Sequence, residues 1–137
     1  MGHLSDDLYD TLVEASRAYF TRAIADGRYV AWVAATGTAP HEQVVGGAGV
    51  QLRELLPRPE GTGRRLVQGP QGLIVNVYTE RAWRRRGVAA ALMRELLRWC
   101  RARGIESLVL HASDEGRPLY EKLGFTDTNE MRYDGAS

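Results

Sequence analysis

The sequence predicts one α/β domain in which strands alternate with amphipathic helices around a single core. Apolar residues recur at helical spacing over residues 4–25 and 88–103, and cluster as strand-like runs over 29–35, 43–52, 73–79 and 107–113. The chain has 137 residues, 44% of them hydrophobic, which suits one compact core rather than two. No repeat, low-complexity stretch or internal boundary divides it, so residues 1–137 are read as one domain.

Each element has a local reason. In residues 4–25, Leu8, Leu12, Ala15, Tyr19 and Ala23 form a stripe flanked by Val13, Phe20 and Ile24. Ser5, Asp6 and Asp7 suit the start of that helix, and Gly27 its end. Strands are expected over 29–35 and 43–52, joined by a turn at 37–42. Residues 53–71 are rich in Pro, Gly and Arg without a sustained period, so they read as an exposed loop, either a substrate lid or a mobile connection. Leu73 to Thr79 reads as a strand. In residues 88–103, Ala89, Leu92, Met93, Leu96, Leu97 and Cys100 make one broad apolar face, with Arg94, Arg98 and Arg101 opposite. Ser107 to Ser113 reads as another strand, and Asn129 to Tyr133 as the last.

The most informative stretch is Arg84-Arg85-Arg86-Gly87-Val88-Ala89, between the strand-like run at 73–79 and the helix that begins near Val88. A strand that runs through a Gly-containing turn into a helix start gathers backbone N–H groups at one point. The helix dipole adds partial positive charge there, so the turn is an anion site suited to phosphate. Gly87 allows close backbone approach, and the arginines add mobile charge. Gly-x-x-x-x-Gly-Lys-Ser/Thr is absent, and so is a Gly-x-Gly-x-x-Gly dinucleotide turn with its later acidic residue.

The form Arg-x-x-Gly-x-Ala resembles motif A of the GNAT N-acyltransferases, Gln/Arg-x-x-Gly-x-Gly/Ala. Downstream, Leu119-Tyr120-Glu121-Lys122-Leu123-Gly124-Phe125 is similar to their motif B, in the expected order and spacing. The resemblance covers roughly residues 29 to 133. It implies a mixed, mostly antiparallel twisted sheet with a V-shaped splay between its two central strands, flanked by helices. Relatives usually carry a strand and a helix before the one placed at 4–25, so the first strand and helix are expected to be missing here. An open sheet edge of that kind invites pairing with another chain, so a homodimer is an expectation.

The resemblance also implies a chemistry: transfer of an acetyl group from acetyl-CoA to a primary amine by direct attack in a ternary complex. It implies that backbone groups of Val77 and Thr79 hold the pantetheine arm as if it were a further strand. The turn of Arg84, Arg85, Arg86, Gly87, Val88 and Ala89, with Ala90, would take the pyrophosphate. Tyr120 is the candidate general acid for the leaving thiolate, since a phenol near ~10 can donate to a thiolate whose thiol lies near ~8.5. Its alternative is core packing. Ser113 stands where relatives often carry an asparagine that contacts pantetheine, and it can still donate one hydrogen bond. Asn76 is either a polar site residue or a satisfied strand residue. His111 shares a strand face with Ser113 and is a candidate base or a structural histidine. Glu80 lies just beyond the strand and is expected to help cap the turn. Water is the expected route for the amine proton.

Composition bounds the rest. Net charge is +1, and no aromatic pattern is interleaved with the arginines, so a nucleic-acid binder is disfavoured. Apolar runs are only strand-sized and nothing reads as a signal peptide, which excludes a membrane partner. Cys100 is the only cysteine, so no internal disulfide forms and a reducing cytoplasm is expected; it falls on the apolar helix face. His3, His41 and His111 are scattered without ligand spacing, so no metal is expected. The acceptor is a small-molecule or peptide amine. A non-catalytic acyl-CoA-binding module is the alternative to an enzyme.

Overall fold

A computed structural model describes residues 24–37, 41–59, 63–64 and 66–135. The helix expected over 4–25 lies outside the described residues except for its end. Ile24 and Ala25 are helical, and the Gly27 N–H donates to the Ile24 carbonyl at 3.1 Å.

Among the described residues six strands follow in chain order: β1 (Tyr29–Thr36), β2 (Gln43–Glu54), β3 (Arg58–Pro59), β4 (Leu66–Val67), β5 (Pro70–Thr79) and β6 (Ser107–Leu110). Four of them form one sheet in the order β1-β2-β5-β6, and β3 pairs with β4 as a separate ribbon. The β1–β2 and β2–β5 pairs are antiparallel, whereas β5–β6 is parallel. A parallel neighbour needs a crossover, supplied here by helix α1 (Val88–Ala102). A 3₁₀ turn (Arg81–Trp83) precedes α1, and a short helix α2 (Arg117–Lys122) follows β6. The expected mixed, mostly antiparallel sheet is therefore present among the described residues.

The apolar stripe of α1 explains its packing. Leu92, Met93, Leu96 and Cys100 are buried, and they meet Ala48, Val50 and Ile74 from the sheet in one core. Each large side chain so enclosed contributes about 2 kcal/mol of burial. Trp32 of β1 meets Trp99 of α1 edge to face, with ring centroids 5.7 Å apart, and anchors the outer strand to the helix. Burial pushes the Cys100 thiol above its ordinary range, so this cysteine packs. No helix among the described residues is long and apolar enough to cross a membrane.

Three expectations need correction. The loop expected over 53–71 is shorter, because β2 runs on to Glu54, β5 begins at Pro70, and β3 and β4 lie between. Polar residues extend the ladder there by satisfying one another: Arg53 Nε donates to Gln71 Oε1 and Gln71 Nε2 donates to Ser107 Oγ, each at 2.9 Å. Pro70 is tolerated as the first residue of its strand. Next, the strand expected over 107–113 stops at Leu110, where its pairing with β5 ends at Ile74. Finally, residues 129–133 do not form a strand. The alternation is present, but no neighbouring ladder receives it, and Met131 and Tyr133 are 93% and 92% exposed.

Candidate functional site

The last β5–β6 pair is Ile74 with Leu110, yet β5 continues to Thr79. The two strands therefore part, leaving Val75 to Thr79 without a β6 partner on that side. This opening matches the expected splay, except that β6 is the last strand of the described sheet and not a central one. A bulge marks where it opens. Gly47 pairs with Tyr78 and Gly49 with Val75, so Asn76 and Val77 together oppose Ala48. Asn76 adopts φ 57, a left-handed conformation that asparagine tolerates better than other L residues, and its amide donates to the Tyr29 hydroxyl at 3.2 Å.

The turn lies directly beyond β5. Gly87, at φ 80, is the residue before α1, and no side chain caps the helix. A Cβ at Gly87 would meet no atom within 4 Å, so the demand for glycine comes from backbone conformation, and space lies open in front of the helix start. Val88, Ala89 and Ala90 follow as half-buried first-turn residues whose N–H groups point toward that space.

The arginines divide their work. Arg84 donates from Nε to the Thr79 carbonyl at 3.2 Å and lies 3.9 Å from the Glu115 carboxylate. Arg86 stacks on Trp83, its guanidinium carbon 4.9 Å from the ring centroid. Arg85 carries a second left-handed backbone, φ 63. Neither Arg85 nor Arg86 has a carboxylate partner among the described residues. Glu80, expected to cap the turn, makes no side-chain capping bond; its own N–H pairs with the Val45 carbonyl at 2.8 Å.

The segment before the second motif approaches this turn through Glu115, 3.9 Å from Arg84. Ser113 is committed locally, since its Oγ accepts the Gly116 N–H at 3.0 Å and its carbonyl accepts the Arg117 N–H at 2.9 Å, which starts α2. A hydroxyl that accepts still has its own proton to donate. Tyr120 packs over Gly116 and meets Phe125 edge to face, with centroids 6.2 Å apart. It is only 9% exposed, and burial raises its phenol above the ordinary value, so it stays protonated at neutral pH. Tyr120 and the exposed His111 both line a cleft of about 1270 Å³ on the outer flank of β6. Val77, Thr79 and the arginine turn do not line it. Core packing and access to a cleft thus coexist at Tyr120.

The sequence reading missed the Tyr29–Asn76 contact and the bulge. The available signal was an asparagine, a residue depleted in strands, inside an otherwise β-branched run. Among the described residues no group of three or more His, Cys, Asp or Glu side chains is placed to hold a metal.

Comparison with known proteins decides the lineage. The model of the acetyltransferase (GNAT) family matches residues 3–125. The chain belongs to the GNAT family. A glucosamine 6-phosphate N-acetyltransferase of Trypanosoma brucei brucei is 31% identical over 96 residues, which are 69% of this chain and 60% of that enzyme. The match therefore spans less than two thirds of that relative. Among solved structures, a GCN5-related N-acetyltransferase from Ralstonia eutropha JMP134 superimposes with a TM-score of 0.78 at 29% identity, covering 98% of this chain and 82% of that one. A predicted acetyltransferase from Clostridium acetobutylicum, solved with acetyl-CoA, gives 0.77 at 27% identity, covering 98% and 79%. In this GNAT domain the splay, the bulge and the arginine turn therefore sit on a fold shared with acetyltransferases.

Proposed function

We propose that this GNAT domain transfers an acetyl group from acetyl-CoA to a primary amine. One observation carries the reading: β5 runs on past its last pair with β6 and leads, through three arginines and Gly87, into an uncapped helix start. An extended amide chain that ends in a pyrophosphate fits that path. The free edge of β5 at Val77 and Thr79 offers backbone hydrogen bonds, the N–H groups of Val88, Ala89 and Ala90 offer anion donors, and the arginines supply charge. When bound, the thioester supplies the activated acyl group.

The chain's own residues would then hold the donor and move protons. The amine nitrogen attacks the thioester carbonyl carbon, the carbon–sulfur bond breaks, and the sulfur takes a proton. Tyr120 is the donor of that proton, since its buried phenol is neutral at physiological pH. The nitrogen loses one proton to water, and water returns a proton to the Tyr120 phenolate, so charge and atoms balance without a covalent enzyme intermediate. A small-molecule acceptor is favoured over a protein amine because the trypanosome relative is named for an amino-sugar phosphate.

The test is acetyl transfer from acetyl-CoA to a panel of small amines, followed as released thiol. Acetylation by the wild-type chain, reduced in Tyr120→Phe, supports the proposal. Donor binding without turnover on any amine supports a non-catalytic module instead.

A further inference from the structure

Three strands meet at one contact on the sheet face away from α1. Tyr29 belongs to β1, Gly49 to β2 and Asn76 to β5. Ala48 and Val50 of β2 point into the core with α1, so Gly47 and Gly49 lie on the opposite face. The Tyr29 ring crosses β2 over Gly49, where a Cβ would overlap its hydroxyl. Only a strand residue without a side chain lets the tyrosine pass. Its hydroxyl then receives the amide of Asn76 at 3.2 Å, 47 residues along the chain.

What that hydroxyl holds is the bulge. Ile74 and Val77 both pack toward the core, three residues apart, whereas the Tyr78 ring lies against Gly47 on the other face. A regular strand would place Ile74 and Val77 on opposite faces, so the extra residue at Asn76 reverses the alternation of everything that follows. The reversal begins two residues after the last β5–β6 pair, where the strands part. Asn76 must be left-handed to make it, and that conformation persists only where surroundings fix it.

We propose that Tyr29 is a positioning residue for the donor site: its hydroxyl clasps Asn76, fixes the bulge, and so sets the direction in which the Val77 to Thr79 backbone faces the splay. The clasp acts through the backbone and touches no reacting atom. Its consequence for donor binding rests on the acetyl-CoA reading above, whereas its consequence for the β5 backbone does not.

Tyr29→Phe keeps the ring over Gly49 and removes only the hydroxyl, so the fold is retained. The experiment is amide hydrogen exchange on the whole chain, together with acetyl-CoA titration, for wild type, Tyr29→Phe, Asn76→Ala and the double variant. Tyr29→Phe is expected to speed exchange at residues 76–79 about five-fold, the equilibrium worth of one net hydrogen bond, while α1 amides such as Met93 are unchanged. The acetyl-CoA dissociation constant is expected to rise by a similar factor, and the double variant to lose less than the two single variants summed, as coupled partners require. Unchanged exchange at 76–79, or a uniform rise across the chain, overturns the clasp. Local loosening in a chain whose wild type binds no acetyl-CoA upholds the clasp and refutes the donor reading.

Discussion

Arg84 turns back on the strand that precedes it, its Nε donating to the Thr79 carbonyl at 3.2 Å while its other end stands 3.9 Å from Glu115. One side chain thus ties the end of β5 to the loop that follows β6, across the opening between them. Thr79 is also where the pantetheine arm is proposed to pair, so this contact lies on the proposed donor path.

Magnitudes decide which effect of Arg84 dominates. Its partner Glu115 is largely exposed, and such pairs contribute about 0–1 kcal/mol. A charge-assisted contact to phosphate contributes about 1.5–3 kcal/mol. Arg84→Gln is therefore expected to weaken acetyl-CoA about ten-fold and to flatten its salt dependence. Glu115→Gln is expected to tighten binding no more than about five-fold. Calorimetry at several salt concentrations measures both.

Gly87 separates strain from charge. At φ 80 an alanine costs about 1–2 kcal/mol, but its methyl group points into open space. Gly87→Ala is expected to lower the melting temperature and, with its methyl group in the space proposed for the pyrophosphate, to weaken the donor, though less than a charged side chain does. Gly87→Glu carries the same strain, relieved in part by a favourable charge at a helix start, and is expected to abolish donor binding. Parallel melting and titration curves make the comparison.

Tyr120→Phe keeps the edge-to-face contact with Phe125 and loses the proton donor. Turnover is expected to fall about 100-fold with donor affinity within about two-fold of wild type. The wild-type rate is expected to fall at alkaline pH as the phenol ionises, and that limb to vanish in the variant. A pH–rate profile of both proteins tests this.

Stability is expected to decline in alkali for a related reason. Cys100 and Tyr120 both have folded-state values raised by burial. A raised acid contributes stability that is full below its unfolded value, about 8.5 for the thiol and about 10 for the phenol, and is lost as pH climbs through the folded value. Melting temperatures should therefore hold near neutrality and fall from about pH 8.5 upward. Cys100→Ala should flatten the first part of that fall. The same slope in wild type and variant would contradict the assignment.

What the sequence disclosed was mostly local. Helix α1 announces itself by period, and the arginine turn by its position between a strand and that helix. Tyr120 is visible through the residues around it. What it concealed depends on partners far along the chain. Pro70 and Gln71 read as loop because their pairing lies with Glu54 and Arg53, and the polar Arg53, Gln71 and Ser107 satisfy one another only once three strands are side by side. Residues 129–133 show the converse, a strand-like alternation with no ladder to join. The bulge at Asn76 escaped because Leu73 to Thr79 reads as one uninterrupted strand-like run. Only the pairing of Gly47 with Tyr78 and Gly49 with Val75 exposes the extra residue.

Titration of acetyl-CoA into the wild-type chain by calorimetry, with dephospho-CoA and free CoA alongside, tests the donor site most directly. The splay and the arginine turn predict micromolar binding at about one site per chain, weakened as salt rises. Absence of heat for all three ligands, from a chain that is folded by its melting curve, would contradict the assignment of the β5–β6 opening as a donor site.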